Sequence, residues 1–101
     1  MPSYRLELQI GDLRSGKAPK EVMDAALASL GTHHVDATDI KVIDGTPLIL
    51  VRFTVRASSE AEEDTAAQVA ARRTCEAVER VASTGRHRLL RRRYGSWLPI
   101  G

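Results

Sequence analysis

The segment Arg86-His87-Arg88-Leu89-Leu90-Arg91-Arg92-Arg93-Tyr94 concentrates the residue types in this chain with the clearest chemical use. Guanidinium forks match phosphate oxygens in pairs, and a run of them raises affinity for nucleic acid by releasing counterions. The net charge of +2 conceals this segment: all 13 acidic residues precede Arg80, and residues 80–101 hold six arginines, Arg80 included, with no acid among them. Arg5, Arg52 and Arg56 stand in or beside two other alternating segments and extend the basic patch if they share its face. The anion-contact set expected from sequence is Arg52, Arg56, Arg88, Arg91, Arg92 and Arg93.

Three other groups invite a chemical reading and resist it. Gly11-Asp12-Leu13-Arg14-Ser15-Gly16-Lys17 has the glycine and lysine spacing of a phosphate-cradling loop. Ala18 stands where a magnesium-binding hydroxyl belongs, and Pro19 removes a backbone donor, so an ordinary glycine-containing connection is expected. His33-His34, near Asp36 and Asp39, suggests a metal, but adjacent strand residues point to opposite faces. No second cluster of histidine or cysteine supports them, and neither a metal nor a cofactor is expected. Cys75 is the single cysteine, placed mid-helix one position off the apolar stripe, where packing suits it better than nucleophilic attack. It forms no intrachain disulfide, which favours a reducing interior.

The elements that must position these residues are read from periodicity. Tyr4 to Ile10 alternates apolar and polar, as do Ile49, Val51, Phe53 and Val55, so each segment is a strand with one packed face. Pro19 opens a helix with Val22, Met23, Ala26, Leu27 and Leu30 on its apolar stripe, and Gly31 stops it. A second strand lies within residues 34–43, with a parity shift near Thr38-Asp39. Asp44-Gly45 is a strong two-residue hairpin signal. Ser59 and Glu62 form a capping box for a second helix, with Ala66, Val69, Ala70, Ala77, Val78 and Val81 facing the sheet and Gly85 ending it. His87 to Tyr94 is the last strand.

This βαββαβ order in one α+β domain is similar to the ferredoxin-like split βαβ sandwich: a four-stranded antiparallel sheet with two helices on one face. The first and third strands are then central, the second and fourth are edges, and the arginines of the fourth protect an edge. The RNA-recognition motif shares this order, but the third strand here lacks that family's glycine and paired aromatics. Ferredoxin-like domains often dimerise through the open sheet face, so the resemblance implies a homodimer.

The 101 residues suffice for one domain, with 95–101 as an apolar C-terminal tail. Leu48 and Leu50 on the open face, with Trp97, Leu98 and Ile100 in the tail, make up the expected self-association set. No signal-peptide pattern and no membrane-length apolar run is visible, so a cytoplasmic protein without a membrane partner is expected. The leading expectation is a non-enzymatic binding or assembly module. The alternatives are a nucleic-acid binder using the last strand, or a small dimeric enzyme with a cavity between sheet and helices, for which no base, nucleophile or metal set is apparent.

Overall fold

In the computed structural model, which describes residues 2–100, Tyr4, Leu6, Leu8 and Ile10 are buried while Arg5, Glu7 and Gln9 alternate on the other face. They belong to β1, Ser3–Leu13. After it come α1 (Lys20–Leu30), β2 (His34–Ile43), β3 (Thr46–Thr54), α2 (Glu60–Glu79), β4 (Ala82–Arg93) and β5 (Ser96–Pro99). The strands form one sheet in the order β2-β3-β1-β4-β5, and every neighbouring pair is antiparallel.

A single core fills the space between this sheet and the helices. Tyr4, Leu6 and Leu8 meet Ile49, Val51 and Phe53 of β3, with Val22, Ala26 and Leu30 of α1 and Ala67, Ala70, Ala71 and Val78 of α2. Alanines along α2 let a long helix approach closely, and long aliphatics on the strands fill the gap. Truncating a side chain such as Leu6, 1% exposed, to alanine costs about 3 kcal/mol at a site of this kind. The buried Thr74 hydroxyl is satisfied: Thr74 Oγ1 donates to the Ala70 carbonyl at 2.9 Å and accepts from Ser29 Oγ at 2.8 Å. That pair pins α1 to α2.

The sheet has five strands where the sequence predicts four. Tyr94 (φ 49°) and Gly95 (φ 78°) adopt the left-handed conformation in succession, as Asp44 (φ 50°) and Gly45 (φ 77°) do between β2 and β3. Two positive φ values close a tight hairpin, so residues 96–99 return along β4 instead of forming a loose tail. As a result the Leu90–Arg93 end of β4 is interior, and Arg91, Arg92 and Arg93 do not guard an edge.

Other boundaries shift for local reasons. Helix α2 ends at Glu79, tightened by Arg80 and Val81 N–H groups donating to the Ala77 and Val78 carbonyls. Gly85 lies inside β4, where a Cβ would meet Gln9 Oε1 at 2.7 Å; that oxygen accepts the Arg86 N–H at 3.1 Å. The parity shift of β2 falls between Val35 and Ala37, not at Thr38-Asp39. The cap of α2 is also modified: Ser59 Oγ accepts from Glu62 N–H, but the Glu62 carboxylate accepts from the N–H and hydroxyl of Ser58. Those bonds hold the Glu62 carboxyl below its ordinary range.

Candidate functional site

The pairing of β4 with β1 decides which arginines act together. Leu89 stands opposite Leu6 and Arg91 opposite Tyr4, so the odd positions face the helices. Arg88 stands opposite Glu7 and Leu90 opposite Arg5, so the even positions lie on the open face. The six-arginine set therefore divides.

Arg91 leaves that set. It is 9% exposed, and its Nη1 donates to Tyr4 Oη at 2.6 Å and Asp64 Oδ1 at 2.8 Å, while Nη2 lies 3.1 Å from Glu63 Oε1. The Tyr4 hydroxyl in turn donates to Asp64 Oδ1 at 2.5 Å. Burial pushes the Tyr4 hydroxyl far above its ordinary pKa, and the bond to Asp64 adds to the rise. Burial also acts to raise Asp64, but the bonds from Tyr4 and Arg91 outweigh it and hold that carboxyl low. A committed cation between two carboxylates has no fork left for a phosphate. Arg93 is also withdrawn, paired with Glu60 on the helix side. Arg56 lies beyond β3, beside Thr32, His33, His34 and Thr54, away from the other arginines.

What remains on the open face is gathered around Trp97. The indole, opposite Arg92 across the β4–β5 hairpin, has the guanidinium carbons of Arg5, Arg52 and Arg92 at 5.0, 5.4 and 5.5 Å from its ring centroid. Such contacts attract through the ring quadrupole and hold both groups in place. Arg5 also pairs with Glu7 at 3.1 Å, and Arg88 Nε meets the other Glu7 oxygen at 3.1 Å. Arg52 makes no ion pair among the described residues, and the Nε atoms of Arg5 and Arg52 are buried without a hydrogen-bond partner. Beside them a recess of about 190 Å³ opens between Trp97, Arg5, Arg52, Leu50, Asp39 and Lys41.

The expected self-association set divides as well. Leu50 is only 8% exposed within its own chain, and Leu48 is half-buried. Leu98 lies opposite Arg91 on the helix side, and Ile100 packs against the core with its N–H donating to the Leu89 carbonyl at 2.9 Å. Of Trp97, Leu98 and Ile100 only Trp97 reaches the open face. Its role is absent from the sequence reading, where the available signal was a Tyr94-Gly95 turn that folds Trp97 back against Arg92.

Groups suited to catalysis do not converge. Cys75 lies on the buried stripe of α2, and burial, then the Glu79 charge, pushes its thiol up, away from nucleophilic use. It lines a cleft of about 750 Å³ between α2 and β4, whose rim mixes Arg72, Glu76, Glu79, His87 and Arg88. His33 packs its ring 6.1 Å from Phe53, while His34 Nε2 lies 3.1 Å from Asp36. Among the described residues no three histidine, cysteine or acidic side chains gather as a metal would require, and no helix is long and apolar enough to cross a membrane. Compared with family models, curated proteins and solved structures, the chain matches none.

Proposed function

We propose that this protein is a non-enzymatic module that binds single-stranded nucleic acid across the open face of its sheet. The observation that carries the reading is the Trp97 indole ringed by Arg5, Arg52 and Arg92. Flat indole and guanidinium groups offer stacking surfaces to bases, and the arginine donors offer forks to phosphates. Arg88 and Lys41 lie at the same parity, and Arg86 lines a recess beside Glu7 and Gln9; against them stand Glu7 and Asp39, so the face carries an excess of positive charge. A single strand fits this arrangement better than a duplex, whose bases are already stacked on each other.

The framework is read as the ferredoxin-like plan with one strand added beside β4. The β2-β3-β1-β4 order and the single core support it. Self-association through the open face is disfavoured, because it would set the same cations of two copies against each other. An enzyme using the cleft between α2 and β4 is disfavoured because the thiol lining it, Cys75, is pushed up by burial and the Glu79 charge.

Trp97 is the only tryptophan, so its fluorescence reports on the site without a label. Titration with a short oligouridylate at low salt should quench it saturably, and added salt should reverse the effect steeply. Equal quenching by heparin would reduce the reading to polyanion binding. No quenching by any of these at low salt would sink it.

A further inference from the structure

The free edge of β2 carries an apolar group that no part of the chain covers. Ile40 is 63% exposed, Val42 67% and Ile43 54%. Each belongs to the outermost strand, where backbone groups on one side lack a ladder partner. The two-residue Asp44-Gly45 turn makes Ile43 and Thr46 a hydrogen-bonded pair, so backbone groups of residues 43, 41 and 39 point toward β3. Those of Val42, Ile40 and Thr38 therefore point outward. In agreement, the Ile40 N–H is bonded not to a strand but to Asp39 Oδ1, at 2.8 Å.

We infer that this edge pairs antiparallel with the same edge of a second copy, on a two-fold axis at Ile40. The charge pattern selects the register. With Ile40 opposite its own counterpart, Asp39 faces Lys41 of the other copy and Lys41 faces Asp39, twice over by symmetry. A shift of two residues either way sets Asp39 against Asp39, or Lys41 against Lys41. A shift of one turns the side chains to opposite faces. Of these registers only the one centred on Ile40 pairs Asp39 with Lys41; the acids Asp36, at the register shift of β2, and Asp44, in the turn, lie outside the straight segment that pairs.

The same register agrees with the backbone. The outward-pointing residues Thr38, Ile40 and Val42 become the hydrogen-bonded pairs, and Asp39 and Lys41 fall at non-hydrogen-bonded positions, where side chains approach most closely. Asp39 exchanges its bond to the Ile40 N–H for the partner's ammonium, and that N–H donates to the partner's Ile40 carbonyl. Ile40 and Val42 of both copies then cover one another on the helix side. Such an interface is isologous and closed, so it stops at two copies. It joins two sheets into one through Asp39 and Lys41 at the rim of the open face, without using its arginines, and sedimentation tests it apart from nucleic-acid binding.

Sedimentation of the full chain tests it, with charge reversals at two exposed positions that leave the core untouched. The unaltered chain should sediment as a dimer. Asp39→Lys alone and Lys41→Asp alone should each weaken dimerisation by at least about tenfold, because each sets like charges opposite one another twice. The double variant should recover the dimer, and an equimolar mixture of the two single variants should form a mixed dimer. In a Cys75→Ala background, Ile40→Cys should oxidise to a covalent dimer, since facing Cα atoms in such a pair lie about 5.5 Å apart. A chain that stays monomeric at high micromolar concentration overturns the inference, as do single reversals that dimerise like the parent.

Discussion

Arg91 Nη1 lies 2.8 Å from Asp64 Oδ1 on the helix-covered side of the sheet, while the next residue, Arg92, sets its guanidinium 5.5 Å from the Trp97 ring on the opposite side. Consecutive arginines thus serve unrelated ends. The first locks the start of α2 to β1 and β4 through Tyr4, Glu63 and Asp64. The second contributes to a half-buried cation–aromatic group on the open face. The alternation of a strand enforces this division whatever the local charge density.

Arg91→Met should destabilise the fold by about 3 kcal/mol, because the Asp64 and Glu63 carboxylates lose the cation they share. Urea denaturation measures this. Once folded, the variant should quench with oligouridylate as the parent does. A loss within about 0.5 kcal/mol, the scale of a neutral surface change, contradicts the structural role.

Alkaline stability should depend on Tyr4. Its hydroxyl has a folded pKa raised above the unfolded value of about 10, so the stability it contributes is complete below that pH and is lost as pH climbs toward the folded value. Asp64 has the opposite sign: its folded pKa is lowered, so its contribution is present above about pH 4 and lost as pH falls. Tyr4→Phe should flatten the alkaline limb of a stability–pH curve measured by chemical denaturation, at some cost in stability near neutrality. An alkaline limb identical in parent and variant contradicts the assignment.

The Tyr94-Gly95 turn should be open to improvement. Tyr94 holds φ 49° with a fully exposed side chain, so the residue carries left-handed strain without a packing gain. Asparagine tolerates that conformation better, and Tyr94→Asn should raise stability by about 0.5 kcal/mol, or about 2–4 °C in Tm. Gly95→Val should act in the reverse direction and loosen β5. A calorimetric scan in which Tyr94→Asn melts below the parent contradicts the hairpin.

Periodicity alone was enough for the two central strands, β1 and β3. Tyr4 to Ile10 and Ile49 to Val55 alternate without interruption, and Asp44-Gly45 is among the strongest hairpin signals a sequence offers. Sequence could not assign the parity of β4, because Leu89 and Leu90 are adjacent and satisfy either face. Only pairing with β1 sends Leu89 inward with Arg91. The fifth strand was hidden for a different reason. Ser96–Pro99 is too short to display a period, and tyrosine is a poor marker of a positive φ. The missed turn concealed Trp97's place on the open face, while the undecided parity of β4 made Arg91 and Arg93 look available.

The most direct measurement compares the salt dependence of oligouridylate affinity in the parent, Arg52→Gln and Arg93→Gln. Arg52 lies on the open face with no ion pair among the described residues, whereas Arg93 is engaged by Glu60 on the other side. Arg52→Gln should weaken binding and reduce the slope of log affinity against log salt by about 0.7, the share of one single-strand phosphate contact. Arg93→Gln should leave that slope unchanged. Equal reductions in both variants, or a reduction in Arg93→Gln alone, would mean that the open face is not where the strand lies.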